Sequence, residues 1–277
     1  MRWMSRAAAF ALMAVAPCQA AFASGQPVPW GLGFQPGASP IKHDISWFHD
    51  ALLLPVITVI TLFVLALLLY VMSRFSAARN PNPSRTAHNT TIEVLWTVVP
   101  IVILVVIAIP SFRLLYKQDR AVNPDMTIKV TGRQWYWQFE YPDHGTFVID
   151  SRIVRDKDGN PAGNPRLLEV DNRLVVPVGA TVRTLVAGAD VMHSFFVPSL
   201  GVQIYSVPGR LNETWFQVEK EGIYYGQCNQ ICGTDHAYMP IAVEAVSKAK
   251  FQQWLEEAKK KFAAAEPAHP VRVAAAD

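Results

Sequence analysis

Twelve residues of this chain, CNQICGTDHAYM, hold Cys228, Cys232, His236 and Met239. Thiolate, imidazole and thioether are the donors a soft metal prefers. The only other cysteine is Cys18, in a stretch that reads as a cleaved export signal, so both thiols of the mature chain share one loop. Four chemistries compete for the pattern. A Cys228–Cys232 disulfide suits an oxidising compartment, but it leaves His236 and Met239 without a task. Zinc takes Cys and His readily and a thioether poorly. A single blue copper needs one thiolate, two imidazoles and a weak axial Met, so the second Cys is superfluous. Two coppers bridged by both thiolates use every donor and require a second imidazole from elsewhere. His193, in ADVMHSFFVPSL at the end of an apolar strand, is the candidate.

These donors need a compartment and a scaffold. Arg2 and Arg6 precede the apolar run Ala7–Ala16, and Ala21-Phe22-Ala23 is an A-x-A cleavage pattern, so residues 1–23 read as a signal peptide cut near Ser24. Ala51–Met72 carries no charge, and Leu95–Tyr116 only Arg113 near its end. At 1.5 Å per residue each reaches roughly 33 Å, enough to span a bilayer. The connector Ser73–Ile92 holds Arg74, Arg79 and Arg85 and no acid, which makes it cytoplasmic by the positive-inside rule. Both ends then lie outside, so the expectation is a two-span protein of the inner membrane with periplasmic termini. Hydrophobic residues make up 51% of the chain and charged ones 17%, with a net charge of +3. From Lys117 onward 18 Lys and Arg face 19 Asp and Glu, so the exported part lacks the basic surplus that a nucleic-acid partner requires.

From Met126 the signal turns β. MTIKV alternates, and WYWQFEY sets Trp135, Trp137, Phe139 and Tyr141 on one face. RLVVPV, TVRTLVA and ETWFQV are further short strands divided by Gly, Pro, Asn and Asp, while RDKDGNPAGNPR is a turn-rich excursion without core residues. Short strands over about 120 residues indicate a sandwich or barrel. A C-terminal helix follows, capped by Ser247 with Phe251, Trp254, Leu255, Ala258 and Phe262 on one face. The division is a segment with two transmembrane helices over 24–116, an exported domain over 117–262 and a flexible tail over 263–277.

HSFFVPSLGV, VPGRLNET, GIYYGQC, QWYWQFEY and the C-x3-C-x3-H-x2-M loop resemble subunit II of the haem–copper cytochrome c oxidases, over roughly Ile45 to Phe262. The resemblance implies a two-helix hairpin followed by a cupredoxin-like Greek-key barrel. It implies a dinuclear CuA centre of two copper ions on His193, Cys228, the Gln230 carbonyl, Cys232, His236 and Met239. It further implies oxidase subunits I and III as membrane partners and a c-type cytochrome as donor, with electrons passing on to haem a. Trp135 would be where electrons arrive, Glu93 the mouth of a proton channel, and His236, supported by Arg210, the exit towards subunit I. Glu140, Asp143 and Asp190 are candidate docking acids for a lysine-ringed cytochrome. The chain departs from the family at three places. Gln230 stands where Glu is common, which leaves the copper ligand intact because it is a backbone carbonyl. An amide gives a Mg2+ or Mn2+ ion at the subunit I boundary no negative charge, so that site is left open. Gln203 and Tyr205 replace the usual Lys and Asp before PGR, and Arg133 a common His. A membrane-anchored copper-delivery protein is the alternative; it would need neither QWYW nor Glu93.

Overall fold

A computed structural model describes residues 24–262. The expected signal peptide and its cleavage pattern, Cys18 and the tail from 263 lie outside the described residues. Helix α1 (Pro40–Trp47) starts at Ser39, whose hydroxyl accepts from the Lys42 N–H at 3.1 Å. A π-helical turn, Phe48–Leu53, joins it to α2 (Leu54–Arg74). Proline explains the widened turn: Pro55 has no N–H to return to the carbonyl four residues earlier, and its ring crowds that carbonyl. Helix α3 (Thr90–Asp119) follows. Neither α2 nor α3 buries a single residue against the protein. Apolar surface on that scale belongs in lipid; the expected span Leu95–Tyr116 falls inside α3, and Ala51–Met72 begins in the π-turn and continues through α2.

The acid Glu93 has a structural task at the start of α3. Asn89 is the cap, accepting from the Ile92 N–H, and the Glu93 carboxylate reaches back to the Asn89 N–H at 3.0 Å. This reciprocal arrangement satisfies two N–H groups that the helix leaves open.

The β domain is a two-sheet sandwich. One sheet orders β4 (Val148–Ser151), β3 (Tyr136–Glu140), β2 (Met126–Arg133), β6 (Thr181–Gly188) and β9 (Asn212–Gln217). The other orders β1 (Ser24–Gly25), β10 (Gly222–Gln227), β11 (Pro240–Val246) and β5 (Leu174–Pro177). A hairpin of β7 (His193–Val197) and β8 (Val202–Ser206) lies across one end. Alternation dictates the packing: β2 runs strictly buried then half-buried, and in β3 Trp137 and Phe139 point inward. They meet Phe195, Phe216, Ile128 and Val130 in one core that also contains Cys228, Cys232 and Met239. Helix α4 (Lys248–Phe262) closes the sandwich by burying Phe251, Leu255 and Ala258, with the Ser247 hydroxyl accepting from the Lys250 N–H. This is the cupredoxin-like architecture the resemblance implies.

Sequence reading did not anticipate β1. Ser24 and Gly25 pair in parallel with Ile223 and Tyr224. A side chain at Gly25 would collide with the Ser199 hydroxyl and the Tyr224 ring, so only glycine lets the backbone come this close.

Candidate metal centre

The donor loop is the connection between β10 and β11. Gln227 pairs with Pro240 at its base, and the Cys228 N–H donates to the Met239 carbonyl at 3.4 Å. Both loop ends are therefore fixed by the sheet, and the donors hang from a rigid neck. A 3-10 turn, His236–Tyr238, folds the far side back, with the His236 N–H on the Gly233 carbonyl. The Cys228 and Cys232 sulfurs stand 3.9 Å apart as free thiols, well beyond the ~2 Å of a disulfide bond. From Cys232 Sγ it is 3.5 Å to His236 Nδ1 and 3.6 Å to Met239 Sδ, and Cys228 Sγ lies 3.2 Å from the Gln230 carbonyl oxygen. Six expected donors thus converge, five from one loop and His193 from the first residue of β7.

His193 is fully buried, and its donor atom lies within 4.8 Å of both thiol sulfurs. Its Nε2 is 2.9 Å from Asp190 Oδ1. That carboxylate also accepts from the Val191 and Gln134 N–H groups, each at 2.7 Å. Burial works against the Asp190 charge, but the contacts with His193, Gln134 and Val191 outweigh it and hold its pKa below the ordinary value. An ionised acceptor at Nε2 places the imidazole proton there and leaves Nδ1 as a bare lone pair. Nδ1 is buried without a hydrogen-bond partner. An orphaned buried acceptor is costly, and here it faces two thiols: the donor set fits a soft metal. The ring is seated by its surroundings. Trp137 meets it edge-on with centroids 6.1 Å apart, and a Cβ on Gly132 would lie 2.8 Å from His193 Cδ2. Gly132, in the interior of β2, is there because a ring occupies the space.

The thiols are electrostatically unlike. Burial opposes ionisation at both. At Cys228 the adjacent His193 imidazole and the Ser194 backbone overcome it and bring the pKa down to about 7. Burial and the neighbouring Cys228 charge push Cys232 up to about 12. The pair therefore gives up its first proton near neutrality, which readies one thiolate to capture a metal.

Trp135 is half-buried against the core, and its Nε1–H donates to the Cys232 carbonyl at 3.2 Å. The Gln134 amide donates to the same oxygen at 3.2 Å. Gly233 completes the contact: its φ is +123°, and a Cβ would lie 2.9 Å from the Trp135 ring. A surface indole is thus hydrogen-bonded directly to the backbone of a donor residue. Gln134, Gly132 and Gly233 were missed in the sequence. Gly132 alone left a signal there, as a glycine inside a strand.

The acids separate. Asp190 lies beside His193, whereas Glu140 is at the far end of β3, about 17 Å along the strand from Trp135 at ~3.4 Å per residue. Glu140 pairs with Lys129 at 3.1 Å, and Asp143 accepts from the Thr127 N–H at 2.6 Å. The excursion after β4 does reach the donor loop, since Arg155 pairs with Asp235 at 3.7 Å and its guanidinium lies 5.5 Å from the Tyr238 ring centroid. Glu93 is remote from all of this, at the opposite end of α3 from the β domain.

Residues 126–246 match the family described as cytochrome C oxidase subunit II, periplasmic domain, and residues 27–114 match its transmembrane domain. The chain is 53% identical over 234 residues to a probable cytochrome c oxidase subunit 2 of Rickettsia bellii, covering 84% of this chain and 86% of that one. It is 48% identical over 233 residues to cytochrome c oxidase subunit 2 of Oenothera berteroana, covering 82% and 90%. Among solved structures it is similar to the periplasmic domain of subunit II of cytochrome oxidase of Bradyrhizobium japonicum, at 52% identity and a TM-score of 0.48, covering 52% of this chain and 99% of that one.

Proposed function

Because the chain belongs to the cytochrome c oxidase subunit II family, we propose that it is the CuA-bearing electron-transfer subunit of a proton-pumping oxidase, taking electrons from a c-type cytochrome. The observation that carries this reading is the pair of free thiols facing the unpartnered Nδ1 of buried His193. Two copper ions would be held by His193, Cys228, the Gln230 carbonyl, Cys232, His236 and Met239. Bound there, copper would supply a one-electron carrier to this set of soft donors. The chain's own residues do the rest. Asp190 fixes the His193 tautomer, the core excludes water from the thiols, and the β10–β11 neck keeps the donors from rearranging.

Trp135 is the point where electrons arrive, because it is reachable from outside and hydrogen-bonded to the Cys232 backbone. His236, half-exposed beyond the loop, faces subunit I and leads towards haem a. Subunits I and III contact the two spans, in an inner membrane with both termini of this chain in the periplasm. The domain division is that given from the sequence, with 24–116 as anchor and 117–262 as exported domain. Glu93 opens a proton path on the cytoplasmic side, in addition to capping α3. Gln230 offers an amide where a hard-cation site would want a carboxylate.

The test is copper loading of the full chain in its membrane. Elemental analysis should give two coppers, and EPR should show one unpaired electron spread over two equivalent nuclei. A single-copper spectrum, or colourless oxidised protein, would sink the assignment. Within that holoprotein Trp135→Ala should retain copper but slow reduction by the donor at least about thirtyfold, the ~2 kcal/mol typical of a buried aromatic anchor. Unchanged stopped-flow rates would place electron arrival elsewhere.

A further inference from the structure

We infer that the chain carries a phospholipid site where α1 and the π-turn meet α3, with the lipid phosphate held by Arg113. It rests on the two-span reading of α2 and α3 and not on the copper assignment.

A pocket of about 290 Å³ lies between these elements. Trp47 and Phe48 form one wall, Pro110 and Leu114 the other, and the lining is mainly apolar. Three charged side chains reach it: Asp44, Arg113 and Lys117. Asp44 and Lys117 bond to each other, which neutralises both. Arg113 has no ion-pair or hydrogen-bond partner among the described residues. The pocket is thus greasy with one uncompensated guanidinium.

Two independent markers place it at a membrane boundary. The uncharged part of the first helix begins at Ala51, just beyond Trp47 and Phe48, and the apolar run of the second ends at Tyr116, between Arg113 and Lys117. Trp47 and Tyr116 are both exposed, at 63% and 74%, as interfacial aromatics are. Arg113 lies one helical turn on the lipid side of Lys117, about 6 Å at 1.5 Å per residue. A guanidinium at that depth favours an anionic partner, and a phosphodiester matches its paired N–H donors. The acyl chains would then continue past Trp47, Phe48, Pro110 and Leu114.

The pocket is also held in shape. The Trp215 indole donates to the Lys117 carbonyl at 2.8 Å, and Thr214 to the Gln118 carbonyl at 3.3 Å, which clamps the end of α3 to β9. The His43–Glu219 pair, at 2.9 Å, and the Ser39 hydroxyl on the Leu200 carbonyl, at 2.7 Å, clamp α1 to the same domain. A lipid seated here would touch the joint between anchor and exported domain.

The test compares the oxidase complex, extracted in mild detergent, with its Arg113→Gln and Arg113→Lys variants by native mass spectrometry. The wild-type complex should retain a phospholipid that Arg113→Gln loses and Arg113→Lys keeps in part. Short-chain phosphatidylglycerol added to delipidated wild-type complex should restore the bound mass, and inorganic phosphate should not. Equal lipid content in wild type and Arg113→Gln would overturn the site. Restoration by phosphate alone would show a simple anion site instead. Loss of a neighbouring subunit in place of lipid would show that a protein carboxylate, not a phospholipid, meets Arg113. None of these outcomes depends on copper, so failure here and failure of the CuA reading are told apart.

Discussion

Cys228→Ser should yield a chain that folds and inserts but holds no paired copper. The sulfur is buried and packed within the core, and serine has nearly its shape, so the cost to folding is of the order of 1 kcal/mol typical of single substitutions. The cost to the site is of another kind. Cys228 is the thiol that ionises first, because the adjacent His193 imidazole and the Ser194 backbone bring its pKa to about 7. A serine hydroxyl does not ionise in that range, so the first anionic donor is lost. In this variant the Cys228 charge no longer raises Cys232, but burial still opposes its ionisation, and a single thiolate supplies only one of the two anionic sulfurs that a copper pair would require. The check is copper content and EPR on the purified complex. Haem absorbance and thermal unfolding serve as controls for assembly. Full copper content with an intact two-nucleus EPR pattern would show that Cys228 is not a bridge.

The donors were legible because their chemistry is local. Cys228, Cys232, His236 and Met239 announce themselves by type within one loop, and His193 follows because a second imidazole was required. The strands were legible by alternation, since β2 and β3 each bury one face. What escaped notice depends on contacts between distant parts of the chain. Gly132 makes sense only once His193 is against it, and Gly25 only once β1 lies beside Tyr224. The π-turn follows only when Pro55 is read against the helix before it. Asp190 was the subtlest. Its charge suggested a docking residue, but a carboxylate three residues before a buried histidine also has the reach to bond it, and composition cannot choose between the two.

Asp190→Ala separates those two roles. As a docking acid, Asp190 would act from solvent, and its loss would weaken the salt dependence of association while leaving the metal in place. As a positioning residue, it would act through His193. Its side chain is 32% exposed, and both oxygens are in use: Oδ1 on His193 Nε2 and the Val191 N–H, Oδ2 on the Gln134 N–H. Removing it frees the imidazole to move its proton to Nδ1, the atom that must stay bare for a metal. It also loosens Gln134, which with Trp135 donates to the Cys232 carbonyl. Partners of ligand histidines are typically worth about 10–100-fold in metal affinity, and that is the expected loss in a chelator competition. The pH dependence has a definite sign. The folded pKa of Asp190 lies below its ordinary value, so its contribution is present above the ordinary carboxylate range and is lost as pH falls through the folded value. Wild-type copper retention should accordingly fail on acidification, and Asp190→Ala should behave at neutral pH as the wild type does in acid. Unaltered copper affinity with a flattened salt dependence of donor oxidation would return Asp190 to the docking surface.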